Sequence, residues 1–224
     1  MASHKLEIAC FNIESAIIAQ QGGADRVELC DDISVGGITP LFETIASVRK
    51  KIQIDLYIMI RPRGGDFVYS EDEYEEMKME ILLIKYKQVN GFVFGILNED
   101  GTIDKERNKE LVELAHPLPC TFHRAFDEVE DPKKALEDLI ECGFKTILTS
   151  GQKTNATEGI NDLTELIKQA GDRIIIMPGG GVRSSNIEKL KKLNVPFYHS
   201  SAITDKTETA SLEEVKELKR KLNA

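Results

Sequence analysis

From residue 6 onward, short runs of β-branched and apolar residues alternate with longer runs in which apolar positions recur three and four apart. The first pattern predicts strands and the second amphipathic helices. Strands are expected at Leu6–Cys10, Arg26–Cys30, Leu56–Ile60, Gly91–Leu97, Cys120–His123, Thr146–Leu148, Ile174–Met177 and Phe197–His199. Between them, punctuation marks the helices. One runs from near Asn12 to a stop at Gly22-Gly23, and one follows the Val35–Pro40 loop through Val48. Ser70 with Glu73 forms a capping box that opens a helix to Lys87. Asp104–Ala115 is the next. Asp131-Pro132 supplies a cap and a first-turn proline to a helix that Gly143 ends. The last three begin near Asn161, Asn186 and Ser211, the final one running to Leu222. Eight strand–helix units in unbroken alternation predict a single-domain (β/α)8 TIM barrel spanning residues 1–224. A doubly wound open sheet is the rival. It fits less well, because the chain ends on a helix and no GxGxxG follows the first strand.

Strands of a parallel barrel are covered on both faces and should be apolar throughout, so polar residues within them carry information. Glu7 and Glu28 lie inside the first two strands. A buried carboxylate needs a cation, a donor or a proton, unless one of the two faces the helices or pairs structurally low in the barrel. Arg61, Arg63, His123 and Arg124 are the candidate partners, since all follow strands toward the same rim. Thr121–Asp127 places His123, Arg124 and Asp127 in one turn, and His199 ends the eighth strand. Such groups suit proton transfer or the binding of a carboxylate or phosphate. Glu7, Glu28, Arg61, His123, Arg124, Asp127 and His199 are therefore the candidate catalytic residues. Arg63, Ser150, Gly151, Gly179, Gly180 and Gly181 are the candidate anion-binding ones. Glycines after strands six and seven let backbone N–H groups approach an anion, and the helix after Gly181 is expected to add a positive N-terminus.

The 224 residues carry a net charge of -9, which argues against nucleic-acid and anionic-membrane surfaces as partners. No run approaches membrane-spanning length, and the start of the chain has no leader-like apolar region. The four cysteines form no CxxC pair, as expected of reduced thiols in a cytoplasmic protein. Cys10 and Cys30 close neighbouring strands and are candidate ligands for a soft ion such as Cu(I). Glu7 and Cys10 differ by an odd offset, whereas Glu28 and Cys30 differ by an even one. All four point inward only if the first strand bends or ends near Cys10. The expected partner is thus a small molecule or a metal ion.

Several long motifs resemble the CutC family: Glu28-Leu29-Cys30 after Gly23–Arg26, Met59–Phe67, Thr121–Asp127, Leu148–Gly151 and Pro178–Gly181. The likeness covers nearly the whole chain. It implies a cytoplasmic barrel, often a homo-oligomer (dimer or higher), connected with copper homeostasis. It places the family's proposed Cu(I)-binding cysteines at Cys10 and Cys30. The residues themselves leave a second reading open, a TIM-barrel enzyme acting on a small phosphate- or carboxylate-bearing metabolite at the rim.

Overall fold

The computed structural model describes residues 4–224. Its elements alternate in the expected order: β1 (Lys5–Cys10), α1 (Ile13–Gln21), β2 (Arg26–Leu29), α2 (Phe42–Lys51), β3 (Asp55–Met59), α3 (Glu71–Ile84), β4 (Gly91–Phe94), α4 (Lys105–Ala115), β5 (Cys120–Phe122), α5 (Pro132–Cys142), β6 (Thr146–Thr149), α6 (Ile160–Ala170), β7 (Ile175–Pro178), α7 (Ile187–Leu190), β8 (Phe197–Ser200) and α8 (Leu212–Asn223). Local chemistry sets the helix ends. Asn12 accepts from Ser15 N–H, and Asp131 accepts from the amides of Lys133 and Lys134. At α3, Ser70 and Glu73 exchange the reciprocal bonds of a capping box. Gly143 ends α5 at a φ of 94°, a conformation that favours glycine.

All eight strands are parallel, in the order β7-β6-β5-β4-β3-β2-β1-β8. Among the described residues no ladder joins β7 to β8, although the two lie side by side, so the (β/α)8 barrel is nearly closed. Alternation along the strands divides the apolar residues into two clusters. Leu6, Ile8, Cys10, Val27, Leu29, Leu56 and Ile58 face the helices, in the large core between the two layers. Cys30, Tyr57, Met59 and Val93 form a smaller cluster inside the barrel. Arg26 and Glu28 share the parity of Cys30 and Tyr57 that of Met59, so each points inward.

Two expectations about length are corrected. β4 stops at Phe94, not Leu97: Ile96 N–H donates to the Asn108 side chain and Leu97 N–H to Phe67 O, so those buried residues belong to a loop. The segment after Gly181 does not enter a long helix. α7 is one turn, starting at Ile187, so a helix dipole there is too short and too far along the chain to act on an anion at the glycines.

Candidate functional site at the barrel mouth

Register assembles the site. Glu7 of β1 stands opposite Arg26 of β2 on one side and His199 of β8 on the other. Its Oε2 accepts from Arg26 Nε, and its Oε1 lies 2.7 Å from His199 Nδ1. Arg26 is held in turn between the rings of Tyr57 and Phe197, each 4.1 Å from the guanidinium carbon. Burial alone would disfavour a charge on Glu7. Arg26 and His199 outweigh it and hold the carboxyl below its usual range. Glu7 is fully buried, and its two oxygens are committed to the two neighbours.

One layer up, Glu28 faces a different environment. Burial pushes its carboxyl up to about 7, with the charge of His199 opposing and that of Glu7 reinforcing. Its Oε2 lies 3.8 Å from His199 Nε2 and 3.8 Å from Cys30 Sγ, and its Oε1 is buried without a partner among the described residues. His199 is also buried, which disfavours its charge, but Glu28 and Glu7 raise its pKa above the ordinary value. Glu7, Glu28 and His199 each offer a ligand atom within 4.8 Å of the others, among the described residues the one cluster of three or more such groups.

Above these lies a cavity of about 210 Å3 at the C-terminal ends of the strands, where barrels of this kind carry their chemistry. Glu28, Cys30, Arg61, His123, Arg124 and His199 line it, as do Gly180 and Gly181. Of the candidate residues, Glu7 sits beneath the cavity, orienting His199. Asp127 is drawn away to Thr149, the Ser150 and Gln152 amides and Arg124. Ser150 N–H donates to Asp127 and Gly151 N–H to Thr149 Oγ1, so both amides are already engaged. Gly179 N–H donates to Thr149 O. Arg63 lies off the cavity, pairing with Glu73 at 2.6 Å and Asp66 at 3.0 Å. Ala9 occupies the cavity position on β1, while Cys10 enters the helix-facing core. The odd offset between Glu7 and Cys10 is thereby resolved in favour of the carboxylate.

The glycines at 180 and 181 adopt φ of 88° and 69°. A side chain on Gly180 would also meet the Arg124 guanidinium at 3.3 Å, so the backbone passes close beneath that arginine. Burial and the Arg61 charge push His123 down to about 3, which keeps its ring neutral. Ala125 N–H donates to His123 Nδ1, and Nε2 is buried without a partner among the described residues. Both cysteine thiols are held protonated, mainly by burial and then by the Glu28 charge.

Two groups were missed in the sequence. Arg26 was read only as part of a strand, although its even spacing from Glu28 places it on the same inner face. Arg183 also lines the cavity, donating to Ser200, Ser201 and the carbonyls of Val182 and Ile203. It follows the glycine run with no local pattern to announce it.

The molecule is thus a (β/α)8 barrel whose mouth holds a buried carboxylate–imidazole cluster under a rim of three arginines. The chain belongs to the CutC family, whose model matches residues 4–204. It is 48% identical over 198 residues to the human copper homeostasis protein cutC homolog, covering 88% of this chain and 72% of that one. A CutC family protein of Mesorhizobium japonicum is 46% identical over 201 residues, covering 89% and 78%. The crystal structure of a CutC from Streptococcus agalactiae superposes with a TM-score of 0.84 at 34% identity, over 90% of this chain and all of that one. Among the described residues no helix is long and apolar enough to cross a membrane.

Proposed function

We propose that this chain serves copper homeostasis, as the names of its relatives suggest, that it works in the cytoplasm, and that it meets Cu(I) through Cys30. The observation that carries this reading is the position of Cys30: of the four cysteines, it alone contributes to the cavity lining. A thiol suits a soft monovalent ion. Cys10 is its nearest thiol neighbour along the sheet, and its carbonyl accepts the Cys30 N–H at 2.9 Å. Anaerobic titration of the reduced protein with Cu(I), against a competing chromogenic chelator, tests the assignment. Cys30→Ser should weaken binding by more than the roughly 10–100-fold that follows from disturbing a ligand's supporting hydrogen bonds. Undiminished affinity in a Cys10→Ser/Cys30→Ser double variant overturns it.

A second reading is favoured by a separate observation. Glu28 Oε1, His123 Nε2 and Arg61 Nε are all buried without partners among the described residues, and all three residues line the same cavity. Unpaired buried groups of opposite demand, one acceptor beside two donors, fit a polar ligand that completes them. With Arg61, Arg124 and Arg183 around it, that ligand is a small anion carrying a carboxylate or phosphate. This is the alternative of a barrel enzyme acting on a small anionic metabolite.

A further inference from the structure

Resting on the second reading, we infer that the mouth cavity removes and returns a proton at a carbon next to a carbonyl group. The substrate class is a small carbonyl compound bearing a carboxylate or phosphate. Glu28 is the base, and His123 donates a hydrogen bond to the carbonyl oxygen.

The two histidines of the cavity are built for different tasks. His123 Nδ1 already accepts the Ala125 N–H, so in the neutral ring the proton belongs to Nε2, as assigned from that hydrogen bond. Phe67 packs on the ring at 4.8 Å between centroids and Phe122 at 5.9 Å, which fixes its plane. The outcome is a fixed N–H donor that has no acceptor among the described residues. A neutral imidazole so placed polarises a carbonyl without giving up its proton. His199 is the opposite case. Glu7, anchored by Arg26, occupies its Nδ1 and turns Nε2 toward Glu28. It is a positioning residue for Glu28.

The step balances within the cavity. Glu28 Oε1 takes the proton from carbon, the C–H electron pair becomes the C=C bond of an enolate, and the carbonyl π pair moves onto oxygen. The His123 N–H faces that oxygen, where charge develops. Return of the proton to the same carbon gives exchange or epimerisation. In an α-hydroxy carbonyl compound, passage of the hydroxyl proton to the enolate oxygen, with return of the carbon-bound proton from Glu28 to the former carbonyl carbon, gives isomerisation. No oxidant, reductant or second substrate is needed. Arg61 spends its terminal nitrogens on the carbonyls of Val35, Gly37 and Gly65 and keeps Nε for the anionic end, while Arg124 and Arg183 add positive charge at the rim.

The test is proton NMR in D2O with the intact protein and two arms of probes: dihydroxyacetone phosphate and ribulose 5-phosphate for phosphate, 2-oxobutanoate and hydroxypyruvate for carboxylate. The parent protein should accelerate loss of the C–H signal next to the carbonyl in at least one arm. Glu28→Gln should cut that rate by roughly 100-fold or more, within the 10²–10⁴ range of acid–base contributions, and His123→Ala should cut it by a smaller factor. Melting temperatures of both variants, and the upward shift each probe causes, report folding and binding separately. Probes that raise the melting temperature but do not exchange overturn the proton-transfer inference and leave the anionic-ligand reading standing. Absence of both shift and exchange removes the two together, and exchange undiminished in folded Glu28→Gln removes Glu28 as the base.

Discussion

Glu7 shows what a single buried charge requires. Its side chain is 0% exposed and that of Arg26 4%, so neither can turn to water when the other is lost. Breaking such a pair costs about 3–5 kcal/mol, more than the pair itself contributes. Arg26→Leu should therefore lower unfolding stability by about that amount in urea denaturation, and Arg26→Leu/Glu7→Gln should recover part of it. If the single substitution is nearly neutral, His199 alone is enough to hold the Glu7 charge. Glu7 and Glu28 were legible in the sequence because each interrupts an otherwise apolar strand. What separates them was not legible: Glu7 is charged because Arg26 abuts it, and Glu28 is pushed toward neutrality because nothing equivalent reaches Oε1. That difference lies in ångström-scale placement, which strand periodicity does not encode.

At the scale of elements, α3 is tied to the loop after β2 by Glu80, which accepts from the Thr39 hydroxyl at 2.7 Å. Burial raises the Glu80 carboxyl from 4.5 to about 7, with the Thr39 bond pulling the other way and the Glu76 charge reinforcing the rise. A raised carboxyl pKa means that the fold prefers the neutral form. Its contribution is complete below about 4.5 and is lost as pH climbs through about 7. Glu80→Gln should remove this loss, so that its stability relative to the parent improves by about 3 kcal/mol between pH 4 and pH 8. Parallel denaturation curves at the two pH values check it; an unchanged difference would show Glu80 to be solvated. Helix starts were the most legible elements, since Ser70, Asp131 and Ser211 cap through bonds to amides two or three residues away. Strand ends were less so. Ile96 and Leu97 are buried for tertiary reasons, and hydrophobicity alone cannot separate a ladder from a covered loop.

For the whole molecule, alternation of pattern carried the architecture, because a βα repeat eight units long has few ways to bury both faces of its sheet. The site was legible as a location and a list of groups; their division into cavity-lining, supporting and remote residues was not. A net charge of -9 also hides a mouth lined by three arginines, since a sum over the chain says nothing of where charge is placed. The missing ladder between β7 and β8 leaves a line along which backbone amides lack partners across the gap. Amides of β7 and β8 should exchange with solvent faster than those of β2 and β3, which are laddered on both sides. Uniform protection across the eight strands would contradict this.

That gap runs up to the cavity between Gly180, just beyond β7, and His199 on β8. A molecule seated there touches both lips of the seam and acts as a clasp, fastening the one joint that the backbone leaves undone. Occupancy and the tightness of the cylinder would then rise and fall together.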